Sequence, residues 1–238
     1  MKEERPEPRV YFIPTPIGNL GDITIRSVDA LKACDLIACE DTRHTKKLLN
    51  HLEISKPLFS LNAQSEERKI PELISQLQLG NTTLAVVSDA GMPAVSDPGQ
   101  RLIQTLITEN IPYTILPGSS AVLTAIVGSG FPAHHFEFAG FLPIKKGKKQ
   151  KLLQRATESD HTTAFFESPH RLPTTLSLLK EVAPNHPTCV ARELTKMFET
   201  YQRGTAEELV DHYSKTPPKG EIVLVIAPSS YKIPLPLG

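Results

Sequence analysis

Val10-Tyr11-Phe12-Ile13-Pro14-Thr15-Pro16-Ile17-Gly18-Asn19-Leu20 decides how this chain folds. An apolar, β-branched run that stops in a Gly/Pro-broken turn reads as a buried strand, with its loop backbone emerging at the carboxyl edge of a sheet. The pattern recurs. Leu84-to-Val87 runs into Ser88-Asp89-Ala90-Gly91-Met92-Pro93, and Tyr113-to-Leu116 into Pro117-Gly118-Ser119-Ser120-Ala121. The aromatic run Thr163-to-Phe166 leads into Glu167-Ser168-Pro169-His170-Arg171. Open α/β sheets bind ligands at such edges, so these four together predict a composite pocket.

Working outward, residues 9–130 alternate strand and helix signals. Strands are expected at 9–14, 34–39, 57–60, 82–88 and 113–116, and helices at 24–33, 42–51, 66–79, 98–110 and 119–129. That alternation predicts a mostly parallel sheet with helices on both faces. Asp97-Pro98 reads as the cap and first position of the fourth helix, and Gly80-Asn81 as a left-handed stop for the third. Beyond residue 130, strand-like Phe136-to-Phe141 leads into the lysine-rich run 143–151, read as a hinge. A second alternation follows: strand 162–167, helix 171–182, strands 187–193 and 197–203, helix 206–214 and strand 221–227. The two adjacent strands with no helix between them imply antiparallel pairing and a mixed sheet. Thr205 and Glu208 form a capping box. The chain is thus divided into a flexible tail 1–8, an α/β domain 9–118, a second α/β domain 119–228 and a flexible tail 229–238.

A length of 238 residues suffices for two small domains, each with its own core. The 26 basic and 26 acidic residues cancel, so a polyanion must be gripped by a local patch. The three cysteines, Cys34, Cys39 and Cys189, fit no zinc or C-x-x-C spacing and read as reduced core thiols. The charged, proline-broken start does not read as a targeting peptide, and no apolar stretch reaches membrane-spanning length. A soluble cytoplasmic protein, without a membrane partner, is expected.

The first turn lacks the G-x-G-x-x-G pattern, and no G-x-x-x-x-G-K occurs, which disfavours phosphate cradling. A proline-stiffened turn suits backbone contact with a flat or apolar ligand. Asp89, at a strand end, can accept from an amine or ribose hydroxyl; the alternative is a capping carboxylate. His134-His135 has no other metal ligand nearby in sequence, and no metal is expected. Lys145, Lys146, Lys148, Lys149 and Lys151 form the strongest RNA-binding feature by charge, the alternative being a solvated loop.

Several further segments complete the pattern: Asp22-Ile23-Thr24, Glu40-Asp41-Thr42-Arg43, Ser96-Asp97-Pro98-Gly99, Ala191-Arg192-Glu193-Leu194-Thr195-Lys196, Arg203-Gly204-Thr205 and Lys219-Gly220-Glu221-Ile222. With the turns quoted above, the chain resembles the ribosomal RNA small-subunit methyltransferase I family of the tetrapyrrole-methylase superfamily, from about residue 9 to 227. The resemblance implies two α/β domains with S-adenosylmethionine in a cleft between them, a homodimer, and 2′-O-methylation of a cytidine in the decoding region of 16S rRNA in the small ribosomal subunit. It also implies donor contacts at Ile17, Val87, Ser88, Asp89, Met92, Ser120, Ala121 and Leu194. Two positions depart from the family, which usually has Thr in place of Met92 and Pro in place of Ser119. A third departure is Leu61-Asn62-Ala63-Gln64-Ser65, where the family carries a histidine-containing run.

A ribose hydroxyl is a poor nucleophile and gains from an acceptor. Asp41, Glu167, Glu193 and Glu221 are candidates, with Glu167, Lys196 and Arg192 favoured for catalysis. Arg43, Arg171 and the lysines at 145, 146, 148 and 149 are expected to hold RNA. The competing readings are a tetrapyrrole-precursor C-methyltransferase of the same superfamily and a non-catalytic RNA-binding module.

Overall fold

The computed structural model describes residues 9–80 and 82–232, so the expected tail at 1–8 and the end of the second, from 233, lie outside the described residues. The chain divides into two compact units at Ser120/Ala121. In chain order the first holds β1 (Val10–Ile13), a 3-10 turn (Leu20–Asp22), α1 (Ile25–Ala33), β2 (Leu36–Cys39), α2 (Thr42–His51), β3 (Leu58–Ser60), α3 (Glu66–Gln78), β4 (Leu84–Val87), α4 (Gln100–Thr108) and β5 (Tyr113–Ile115). Its strands form one parallel sheet in the order β3-β2-β4-β1-β5. Period-two alternation sends side chains to both faces. Phe12, Ala38, Leu84 and Val86 pack under α3 and α4, while Ile13, Ile37, Ala85 and Val87 pack under α1 and α2.

This topology fixes where a ligand can enter. Neighbouring strands β1 and β4 lead to helices on opposite faces, β1 to α1 and β4 to α4. The crevice at their carboxyl ends is therefore the switch point of the sheet.

The second unit contains α5 (Ala121–Ser129), β6 (Phe136–Phe141), α6 (Lys146–Glu158), β7 (Thr162–Glu167), α7 (Leu172–Val182), β8 (Pro187–Arg192), β9 (Thr200–Thr205), α8 (Ala206–Lys215) and β10 (Ile222–Ile226). Its sheet runs β6-β7-β10-β8-β9, with β6 parallel to β7 and the other pairs antiparallel. Phe165, Val190, Leu224 and Ile226 pack with α6, α7 and α8, and α5 lies against β7, β8, β9 and β10. Thr205 and Glu208 make the expected capping box. All three cysteines are reduced and buried.

Four expectations need correction. The lysine run is no hinge: residues 146–158 are helical, because Lys149, Leu153, Ala156 and Thr157 recur at helical spacing and bury one stripe. Asp97-Pro98 does not start α4. Gly99 caps it at φ 125°, its N–H donating to the buried Glu66 carboxylate at 2.7 Å. The strand expected from 197 begins at Thr200, since residues 193–199 form a braced turn. Residues 229–232 are also tied down: Ser229 N donates to Ser159 O at 2.8 Å, and Tyr231 stacks edge-on against Phe131 at 5.0 Å.

Candidate functional site

At the carboxyl edge of the first sheet, the loops after β1 and β4 are stitched together. Thr15 N donates to Gly91 O and Gly91 N to Thr15 O, each at 3.0 Å. The Thr15 hydroxyl donates to Ser88 O at 3.0 Å, and the Ser88 hydroxyl to Gly91 O at 2.8 Å. Both hydroxyl-bearing residues are buried, so their bonds set loop shape and leave main chain at the edge. The loop after β5 joins them through contact. A Cβ at Gly118 would lie 2.8 Å from Pro14 Cβ, so only glycine lets these two turns approach.

Asp89 is half-buried, and its Oδ1 accepts from Asp41 N at 3.2 Å, linking the turns after β2 and β4. Three carboxylates converge here. Burial, then Glu40 and Asp89, pushes the Asp97 carboxyl up to about 6, and burial with Asp89 and Asp41 raises Glu40. Beside them a groove of about 510 Å³ is lined by Glu40, Asp41, Arg43, Asn62 and Asp89 among others. Arg43 holds Asp41 through two nitrogens, at 3.2 and 2.9 Å, and this keeps the Asp41 carboxyl down at about 2. The Arg43 side chain is otherwise exposed. The Asn62–Ser65 segment closes on itself, Asn62 Oδ1 accepting from Ser65 N at 3.0 Å.

In the second unit, Glu167 is fully enclosed. Its carboxylate accepts from Thr175 Oγ1 at 2.6 Å, Ser168 N at 2.8 Å and Lys149 Nζ at 3.3 Å, and it pairs with the Arg171 guanidinium, Nε at 3.2 Å. Lys149 is 4% exposed and also donates to Thr175 at 2.8 Å. Arg171 further donates to the carbonyls of Leu142 and Pro143. The turn after β8 is braced in a different way. Lys196 Nζ bridges Glu193 at 2.9 Å and Glu221 at 2.8 Å. Glu221 N also donates to the Glu193 carboxylate, and that bond, ahead of Lys196, lowers the Glu193 carboxyl. Arg192 donates to Lys219 O and Phe198 O, at 3.2 and 3.1 Å. Glu193 and Thr195 take positive φ, 52° and 64°, and Leu194 is buried between them in sequence.

A family model for tetrapyrrole (corrin/porphyrin) methylases matches residues 9–210. The chain belongs to the tetrapyrrole methylase family. It is 43% identical to the ribosomal RNA small subunit methyltransferase I of Halalkalibacterium halodurans over 94% of this chain and 77% of that protein. Against the protein of that name from Thermotoga maritima the identity is 42%, over 92% of this chain and 98% of the relative. The fold matches uroporphyrin-III C-methyl transferase from Thermus thermophilus, a structure complexed with S-adenyl homocysteine, with TM-score 0.63 and 16% identity, over 92% of this chain and 97% of that one.

In this methylase, Ile17, Val87, Ser88, Asp89, Met92 and Ser120 all belong to the stitched loops or strand ends of the first unit. Ala121 opens α5, and Leu194 sits in the braced turn of the second unit. Three assignments change. Lys149, expected to hold RNA, is buried on Glu167, and Glu167, favoured as base, is enclosed with every carboxylate oxygen engaged. Arg171 is spent on Glu167 and two carbonyls. Sequence reading missed Asp97 as a titrating group, because Asp-Pro before a helix reads first as a cap. It also missed that His135 meets Asp160 and His161, all with ligand atoms within 4.8 Å. There His161 bonds Asp160 at 2.9 Å and Glu137 at 3.4 Å, an ion-pair arrangement that raises the imidazole.

Proposed function

We propose that this methylase transfers a methyl group from S-adenosylmethionine to the ribose 2′-hydroxyl of a cytidine in the decoding region of 16S rRNA. The stitched loops at the β1/β4 switch point carry the donor half of this reading. The relatives named as ribosomal RNA small subunit methyltransferase I carry the substrate half. The donor's sulfonium brings its own leaving group, so the chain supplies position and an acceptor for the hydroxyl proton. Ile17 offers an apolar contact, the Val87–Ser88 main chain and the Asp89 carboxylate offer acceptors, and Met92, Ser120, Ala121 and Leu194 complete the donor set. The acceptor role passes from Glu167 to Asp97, whose proton is held near neutral pH. Lys196 and Arg192 act as positioning residues that shape the Leu194 turn. Arg43, Lys145, Lys146 and Lys148 hold RNA phosphate. The 30S subunit as substrate and a homodimer as the working form belong to the same reading.

Methyl transfer from labelled donor to 30S subunits and to uroporphyrinogen, measured side by side, tests it. Label is expected in rRNA alone; label in the tetrapyrrole would replace this reading with the porphyrin one.

The carboxylate cluster gives a pH prediction. Folding raises Asp97, so its contribution to stability is present below about pH 4 and is lost as pH rises through about 6. A cationic donor beside the cluster favours the ionised form. Donor affinity should therefore strengthen between pH 5 and 7, while that of S-adenosylhomocysteine, which lacks the sulfonium charge, stays flatter. Calorimetric titration of both ligands checks this, and Asp97→Asn should remove the difference.

A further inference from the structure

β6 carries an irregularity with a consequence for RNA recognition. On a regular strand, residues three apart point to opposite faces. Phe138 and Phe141 nevertheless both pack against Phe166, with ring centroids 4.9 and 5.2 Å away. A register shift between Phe138 and Phe141, with Gly140 at φ 68°, turns the second ring onto the face of the first. Bulges re-aim side chains in this way.

The re-aimed Phe141 ring remains 60% exposed. It sits on a stiff base, because Leu142 N donates to Phe166 O at 3.4 Å and Arg171 holds the carbonyls of Leu142 and Pro143. Within a few residues come the exposed Lys145, Lys146 and Lys148 at the start of α6, whose first turn holds no acidic residue. Lysine opposes the helix dipole there, so charge placement works against local stability. A protein interface explains this surface poorly, since interface centres are depleted in lysine. Aromatic faces interleaved with cations are what an unpaired nucleotide needs: a ring to stack its base and charges for its phosphates.

We propose that Phe141 is a stacking platform for an unpaired base of the RNA substrate, with Lys145, Lys146 and Lys148 holding the adjoining phosphates. The proposal rests on the rRNA reading and deepens it.

The chain has no tryptophan, so Phe141→Trp introduces a single reporter at the platform. Titration with a short unstructured RNA should quench its emission to saturation, with an affinity that falls as salt rises. The same RNA annealed to its complement should leave emission unchanged. Phe141→Ala should weaken single-strand binding roughly 5- to 160-fold, the range of base–aromatic stacking. Its donor-induced stabilisation should stay intact. If RNA binds by anisotropy without quenching, and Phe141→Ala methylates 30S normally, the platform is refuted and the rRNA reading stands. If wild-type protein neither binds RNA nor methylates 30S, the rRNA reading falls and takes the platform with it. Emission that is already blue-shifted without RNA, and varies with protein concentration, would make this face a contact between copies and overturn the proposal.

Discussion

Replacing Lys149 by alanine is expected to lower the unfolding free energy by about 3–5 kcal/mol, the usual cost of removing one partner of a buried ion pair. Glu167 has no exposed side-chain surface, and Lys149 supplies both an ion pair at 3.3 Å and, through Thr175, a shared hydrogen bond. Arg171 stays at 3.2 Å and offsets part of the loss, which favours the lower end of that range. Pairing Lys149→Met with Glu167→Gln removes both charges and should recover most of the stability, because a neutral pair no longer strands a carboxylate. Chemical denaturation of the three variants measures this. A drop of under about 1 kcal/mol for Lys149→Ala would mean that the ammonium is not enclosed as described. The same geometry predicts that Glu167→Gln loses stability before it loses turnover per folded molecule.

Asp89→Ala should raise the donor dissociation constant about 10- to 100-fold, the equivalent of losing a hydrogen bond to a charged group. Asp89 stands at the switch-point edge, half-buried, and its carboxylate accepts from Asp41 N. Donor raises the melting temperature by mass action, so weaker binding appears directly as a smaller shift at fixed donor. Without donor the variant should melt close to wild type, since no apolar core is disturbed. Equal donor-induced shifts in the two proteins would reduce Asp89 to a tie between the turns after β2 and β4.

Much of this was legible in the chain because it rests on short-range signals. Buried strands at Val10–Ile13 and Leu84–Val87 are apolar runs cut by Pro or Gly, and each places its turn at a predictable sheet edge. The capping box at Thr205 and Glu208 is local chemistry that depends on no distant partner. What failed depended on partners distant in sequence. Lys149 reads as one more solvated lysine until α6 turns it toward Glu167 and Thr175, 18 and 26 residues away. Asp97 reads as a cap until Glu66, 33 residues before Gly99, takes the helix start and leaves Asp97 beside Glu40 and Asp89. Phe141 reads as an ordinary strand residue: Gly140 is the local mark of a bulge, but which ring the shift meets depends on the pairing with β7 and Phe166.

The proposed activity leaves one methyl group on 16S rRNA. Mass mapping of nuclease-digested 16S rRNA from cells with and without the gene tests it most directly. In cells lacking the gene, one cytidine-containing fragment from the decoding region should be lighter by a single 2′-O-methyl group. Wild-type protein should restore the methyl group, and Asp89→Ala should restore it poorly. Identical maps from the two strains, with every 2′-O-methylcytidine unchanged, would contradict the account.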